Sequence, residues 1–209
     1  MEVIRVGDSS ADPGLVRDVA QCLRRGGIVG MRTDTVYGLL ASVNRPDALH
    51  RLVELKVRSR EKPFILLAAD WNVVRSVTSH LPPIARRLGS RYWPGPLTLI
   101  LPAAPHLPEE VTNVGATVAV RVPRDELVGE ILREVKAALA APSANLPGEG
   151  PAVSADELVR TFGSSLDLIL DGGAVRDTLP STIVNCAGPS ATVVRSGLIE
   201  LAPAELEAS

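Results

Sequence analysis

The chain has 209 residues, 45% hydrophobic and 22% charged, with a net charge of −2 and only 3% aromatics. That length is expected to make one domain, 1–209, with a core over about 12–200 and a frayed tail at 201–209. So few rings argue against a base-stacking nucleic-acid platform, and a pI near 6.0 removes any global basic field for nucleic acid or membrane.

Val3–Val6 reads as a short first strand. Asp12-Pro13 then opens a helix, with a capping residue before a proline at the first helical position. Its stripe is Leu15, Val16, Val19, Ala20 and Leu23, and Gly26-Gly27 ends it. Ile28–Met31 is the next strand. The polar stretch after it, Arg32-Thr33-Asp34-Thr35-Val36-Tyr37-Gly38-Leu39, reads by itself as a turn, with Asp34 and Thr35 bonding local backbone and Gly38 at positive φ. A helix follows Asn44-Arg45-Pro46-Asp47, carrying Leu49, Leu52, Val53 and Lys56. Phe64–Ala68 is an apolar run suited to a buried strand.

The next helix runs from about Pro83 to Tyr92 and stops at Trp93-Pro94-Gly95-Pro96. Thr98–Leu101 and Val118–Val122 read as strands, Asp125–Lys136 as a helix, and Ala138–Ala141 as a short apolar piece. Ser154-Ala155-Asp156-Glu157 is a capping box for a helix closed by Gly163. Leu166–Leu170, Thr182–Asn185 and Thr192–Arg195 complete the strands. Several strand pairs lack an intervening helix, so the expected fold class is α/β with a twisted, mixed β-sheet and packed helices, rather than a strict βαβ series.

Chemistry gathers beside these strands. Lys56-Val57-Arg58-Ser59-Arg60-Glu61-Lys62 places four cations in seven residues before a buried strand. Alternation puts Thr117, Ala119 and Arg121 on one face of their strand, and an arginine at the end of so apolar a strand needs an anionic partner, a structural carboxylate or a ligand, or water. The loop Ala141-Pro142-Ser143-Ala144-Asn145-Leu146-Pro147-Gly148 offers small residues that let backbone approach a ligand; a Pro/Gly turn fits it equally well. Ser181-Thr182-Ile183-Val184-Asn185 and Arg195-Ser196-Gly197 are two further clusters. His50 lies on a helix surface, and His80 and His106 sit in Pro-rich connections with no obvious nucleophile nearby, which argues against a Ser/His hydrolase. Tyr37 and Trp93 read as packing residues. Cys22 and Cys186 have neither zinc spacing nor a disulfide framework and read as buried thiols. The N-terminus lacks a signal-peptide pattern and no apolar run reaches membrane-span length, so a cytoplasmic location is expected.

The ordered set Thr33–Leu39, Lys56-x-Arg58, Trp93-Pro94-Gly95-Pro96-Leu97-Thr98, Val120-Arg121-Val122-Pro123, Pro142-Ser143-Ala144-Asn145, Ser181-Thr182-Ile183 and Arg195-x-Gly197 resembles the YrdC-like threonylcarbamoyl-AMP synthases. The resemblance spans nearly the whole chain, in the short form without an extra C-terminal domain. It implies a YrdC-like fold with a concave ligand-binding cleft. It also implies the joining of L-threonine, bicarbonate and ATP into threonylcarbamoyl-AMP and pyrophosphate, for N6-threonylcarbamoyladenosine in tRNA. Mg²⁺ is expected with the nucleotide, and other tRNA-modification proteins as partners.

Carried over residue by residue, the resemblance gives Thr33, Arg121, Ala141 and Ser181 to L-threonine. Lys56, Arg58, Arg60, Thr117, Ser143, Asn145 and Arg195 go to ATP, with Lys62 as a further candidate for the triphosphate and Lys56 and Arg58 as catalytic. Asp34 is expected to organise the first loop. Arg32 replaces the family's usual Pro, Leu40 a frequent Gly, Pro147 a Ser or Thr, and Asn185 an Asp; Arg32 is the place where ligand preference is expected to differ. Two other readings are a non-synthesising paralogue that binds structured RNA through Arg58, Arg60, Lys62, Arg86, Arg87 and Arg91, and a related carbamoyl-adenylate enzyme.

Overall fold

A computed structural model describes residues 2–7, 12–56, 64–113, 116–175 and 179–207. In chain order the elements are β1 (Glu2–Arg5), α1 (Pro13–Arg24), β2 (Val29–Arg32), β3 (Tyr37–Ser42), α2 (Pro46–Leu55), β4 (Ile65–Leu67), α3 (Trp71–Val77), α4 (Pro83–Tyr92) and β5 (Leu97–Pro102). They continue with β6 (Thr117–Arg121), α5 (Glu126–Val135), β7 (Leu139–Ala140), α6 (Ala155–Phe162), β8 (Leu168–Asp171), β9 (Thr182–Asn185), β10 (Thr192–Arg195) and α7 (Pro203–Leu206). The strands form one sheet in the order β1-β8-β2-β3-β7-β4-β6-β5-β9-β10. Four pairs are parallel (β1/β8, β2/β8, β4/β6, β5/β9) and the other five antiparallel, which is the expected mixed α/β sheet.

Local chemistry sets the helix starts. Asp12 Oδ1 accepts from Gly14 N at 2.9 Å and opens α1. Asp125 Oδ1 accepts from Val128 N at 3.0 Å to open α5, which ends on Lys136 with φ of 59°. Ser154 caps α6 through Glu157 N at 3.3 Å; Glu157 itself reaches back to Val153 N at 2.8 Å, one residue before the position a strict capping box would use.

Two cores form, one on each face of the sheet. Val16, Val19, Ala20 and Leu23 of α1 and Val128, Ile131 and Leu132 of α5 pack on Val29, Met31, Leu40, Leu67 and Leu139. The other core joins α2, α3, α4 and α6 to Leu39, Leu66, Leu97, Leu99, Val118, Val120 and Val184. Register therefore puts Ile65 and Leu67, Thr98 and Ile100, Thr117, Ala119 and Arg121, and Ile183 and Asn185 on the face shared with α1 and α5. Those helices cover the β2, β3 and β7 part of it. Farther along, Ile65, Ile100, Thr117, Ile183 and Asn185 are only half-buried, leaving an open face over β6, β5 and β9.

Three expectations change. Residues 37–42 are strand β3, wholly buried, so the polar stretch is the four-residue connection 33–36 of a β2–β3 hairpin with Arg32 opposite Tyr37. Gly38 lies inside β3, and its need for small size comes from Pro142 O, 3.3 Å from where a Cβ would stand, instead of from a positive φ. Helix α3 carries a weak sequence signal because Val73, Val74 and Val77 are weak helix formers, although Asp70 caps it through Asn72 N at 2.7 Å and Val73 N at 3.1 Å.

The third change is the tail, which is docked through residue 207. Thr182 Oγ1 donates to Ile199 O at 2.7 Å, Tyr92 Oη donates to Glu205 Oε1 at 2.7 Å, and Arg91 lies 3.1 Å from the same carboxylate. Leu201 and Leu206 pack against the core. The crossing is tight at Gly197, where a Cβ would stand 2.3 Å from Pro180 O and 2.6 Å from the Ser181 carbonyl carbon. Gly197→Ala should therefore push β10 away from residues 180–182, costing about 1–3 kcal/mol in a denaturant titration; an unchanged midpoint would contradict the crossing.

Candidate active site

Register sets the end of β6 beside the starts of β5 and β9, whereas the start of β3 and the residues just after β7 lie level with the start of β6, and side chains of the 33–36 connection reach across to Arg121. Arg121, the last residue of β6, is 5% exposed and held on three sides. Its Nε donates to Gly95 O at 3.0 Å, Nη1 donates to Thr35 Oγ1 at 3.0 Å, and Nη2 lies 2.5 Å from Asp34 Oδ2. Asp34 Oδ2 also accepts from Arg124 N at 3.0 Å, tying the hairpin connection to the chain after β6. Burial pulls the Arg121 pKa below its usual value, and the Asp34 carboxylate opposes that pull.

The hydroxyls beside Arg121 have a fixed order. Thr33 Oγ1 donates its one proton to Val36 O at 2.8 Å, so in the 3.2 Å pair between Thr33 and Thr35 the donor is Thr35. Thr35 Oγ1 in turn accepts from Arg121. The run is therefore Arg121 N–H to Thr35 to Thr33 to the Val36 carbonyl.

Arg195 stands on the other side. Its Nε and Nη2 donate to Ser181 O at 3.2 and 2.9 Å, and Nη2 also reaches Ser181 Oγ at 3.2 Å. Ser181 Oγ meets Thr98 Oγ1 at 2.8 Å, inside a strand where Thr98 is fully buried. Burial lowers the Arg195 pKa first, and the positive charge of Arg121 lowers it further. Two guanidiniums that feel one another, with one carboxylate paired to Arg121, leave a net positive charge in a partly desolvated place. Such a place favours an anion.

Lys56 sits at the end of α2 and is 7% exposed. Its Nζ donates to Ser143 O at 2.7 Å, to Asn145 Oδ1 at 2.8 Å and to Asn145 O. Ser143 Oγ donates to Asn145 Oδ1 at 2.7 Å, and Asn145 Nδ2 donates to Glu149 O at 2.7 Å. This loop is stitched to β3 by Leu39 N to Pro142 O and Ala144 N to Tyr37 O, while Ala141 N donates to Ile65 O.

Of the residues singled out in the sequence, Thr33 and Arg121 share one cluster, Ser181 and Arg195 a second, and Lys56, Ser143 and Asn145 a third. Ala141 lies between the strand ends. Thr117 is on the Arg121 face but at the opposite end of β6, roughly 13 Å away by strand rise, with a buried hydroxyl that has no partner among the described residues. Arg58, Arg60 and Lys62 lie outside the described residues. Thr35, Gly95 and Thr98 stand inside the motifs that carry the resemblance, but their contacts with Arg121 and Ser181 follow from no spacing in the sequence.

Tyr37, fully buried with its hydroxyl donating to Gly173 O at 2.8 Å, and Trp93, 5.0 Å from the Trp71 ring, are packing residues as expected. Asn185 Oδ1 accepts from Ala187 N at 2.9 Å, a local turn bond. Arg32 does not join the Arg121 cluster. It lines a different cavity of about 650 Å³ between the ends of β1, β2 and β8 and the starts of α1 and α5, with Arg5, Asp12, Asp18 and Asp125. Burial raises the Asp125 pKa there. No helix among the described residues is long and apolar enough to cross a membrane.

Comparison with known proteins agrees with this arrangement. A family model for Sua5, YciO and YrdC, described as "Telomere recombination", matches residues 21–197. Threonylcarbamoyl-AMP synthases of Pyrococcus abyssi and Bacillus subtilis are 33% and 36% identical over 89% and 90% of the chain. The chain spans 55% of the length of each of those two relatives. A shorter relative of that name from Nitrosococcus oceani is 39% identical over 80% of this chain and 91% of its own. The crystal structure of Pyrococcus abyssi Sua5 complexed with L-threonine superposes with a TM-score of 0.89 at 32% identity, over 94% of this chain and 58% of that one. The ordered motifs, the mixed sheet and these matches agree: the chain belongs to the Sua5/YciO/YrdC family.

Proposed function

We propose that this chain is an ATP-dependent L-threonylcarbamoyladenylate synthase, a nucleotidyltransferase serving N6-threonylcarbamoyladenosine formation in tRNA. The observation that carries the reading is the net-positive pair of guanidiniums of Arg121 and Arg195 at the strand ends, in a family whose relatives carry that name. The reaction joins three anionic or nucleophilic partners. The threonine amine adds to carbon dioxide from bicarbonate and loses a proton, giving a carbamate. A carbamate oxygen then attacks the α-phosphorus of ATP, the bond to the bridging oxygen breaks, and pyrophosphate leaves. The demand is for charge neutralisation and alignment more than for a strong base.

Arg121 holds the threonine carboxylate through its fork, with the Ala141 backbone and Ser181 beside it. Thr33 acts through Thr35, since its own proton is committed to Val36 O. Lys56, Arg58, Arg60, Ser143, Asn145, Thr117 and Arg195 form the nucleotide side, and the unpartnered Thr117 hydroxyl suits a ligand atom. Among the described residues no group of three or more His, Cys, Asp or Glu could hold a metal. Mg²⁺ is expected to arrive on the triphosphate and keep most of its waters. The chain acts as one domain in the cytoplasm, beside other tRNA-modification proteins. The reading as an RNA binder is weakened because Arg87 and Arg91 contact the docked tail at Glu205.

The test is to incubate the protein with ATP, Mg²⁺, labelled bicarbonate and L-threonine. Threonine-dependent pyrophosphate and a labelled adenylate are expected. No product, with tight salt-sensitive RNA binding, would replace this reading with the RNA-binding one; product without threonine would point to a different carbamoyl-adenylate chemistry.

A further inference from the structure

We propose that Asp34 and Thr35 are positioning residues that fix the Arg121 guanidinium, so that its unsatisfied N–H groups present one ready fork to the α-carboxylate of an amino acid. The proposal rests on the reading of Arg121 as the carboxylate clamp and adds what makes that clamp work.

A guanidinium carries five N–H donors in a plane. In Arg121, Nε is held by Gly95 O and one Nη1 hydrogen by Thr35 Oγ1. Nη2 pairs with Asp34 Oδ2 at 2.5 Å. Each terminal nitrogen carries two hydrogens, so among the described residues one N–H on each is left without a partner, in a side chain 6% exposed. Two adjacent unsatisfied donors on one buried cation are costly unless a ligand takes them. They match the two oxygens of a carboxylate.

The two neighbours do different work. Asp34 balances the buried charge and, by also accepting from Arg124 N, holds the hairpin connection against the end of β6. Arg121 has only donors, so Thr35 Oγ1 meets it with a lone pair, while its proton goes to Thr33, whose own proton goes to Val36 O. That one-way order holds the Thr35 hydroxyl, and with it the acceptor of Nη1, in one orientation. Holding such a group in place raises affinity by removing the freedom it would otherwise lose on binding.

The test measures L-threonine and ATP binding separately by calorimetry on Thr35→Val, Thr35→Ser, Asp34→Asn and Arg121→Lys. Thr35→Val should weaken threonine about tenfold and leave ATP within about twofold, and Thr35→Ser should restore threonine. Asp34→Asn should follow Thr35→Val; if it fails to fold, the neutral Thr35 pair decides alone. Unchanged or tighter threonine binding in Thr35→Val, or equal weakening of both ligands, would overturn the positioning role. Parental threonine binding in Arg121→Lys would instead remove the clamp itself, so the two failures are told apart.

Discussion

Arg121→Lys is expected to raise the KM for threonine by about 30-fold or more, with the KM for ATP changed far less. A lysine keeps a positive charge near Asp34 but has a single ammonium in place of the planar fork. It can satisfy at most some of the acceptors that Arg121 now holds, Gly95 O, Thr35 Oγ1 and Asp34 Oδ2. Losing one bidentate, charge-assisted contact to the substrate carboxylate is worth about 2–3 kcal/mol, which is the stated factor. Arg121→Ala goes further, because it leaves Asp34 as a buried carboxylate whose Oδ1 already lacks a partner. Removing one member of such a pair costs about 3–5 kcal/mol of stability. Steady-state kinetics with each substrate varied in turn, beside a thermal melt, separates the two effects. Equal increases in both KM values for Arg121→Lys would contradict a clamp specific for the amino acid.

Much of this arrangement was legible in the sequence because it depends on local rules. Alternation along Thr117–Arg121 gave the face on which Arg121 lies, and the register with β4 and β5 agrees. Proline and capping residues mark the starts of α1 and α6, and the strand stretches Thr182–Asn185 and Thr192–Arg195 match β9 and β10 residue for residue. What could not be read are pairings between distant segments. Asp34 meets Arg121 across 87 positions, and Thr98 meets Ser181 across 83. No spacing within either segment encodes those contacts. The β3 strand was hidden because its polar lead-in, Thr33–Val36, looks like a loop and its apolar run carries no alternation, being buried on both faces. The tail, too, was misjudged from its place in the chain, since what anchors it is Thr182, Tyr92 and Arg91.

Lys56→Met is expected to loosen the 143–149 loop and, through it, to weaken nucleotide binding by about tenfold or more. The ammonium of Lys56 gathers Ser143 O, Asn145 O and Asn145 Oδ1. Methionine fills similar volume without a donor, so two backbone carbonyls lose a charged partner, at about 1–3 kcal/mol for each that stays dry. Asn145 keeps its bonds to Ser143 and Glu149, so the loop's internal curl survives while its tether to α2 is lost. Lys56 therefore prepares the nucleotide side by holding Ser143 and Asn145 in place, whatever charge it also lends to a triphosphate. Two measurements separate these contributions. Faster proteolytic cleavage within 143–150 in the nucleotide-free variant reports the tether, because no phosphate is present. A shallower salt dependence of ATP binding reports the lost charge. Unchanged cleavage together with a shallower salt slope would make Lys56 a phosphate contact alone. Faster cleavage with an unchanged slope would place its whole effect in the loop, and threonine affinity, set on the far side by Arg121, should stay within about twofold because well-separated sites act nearly independently.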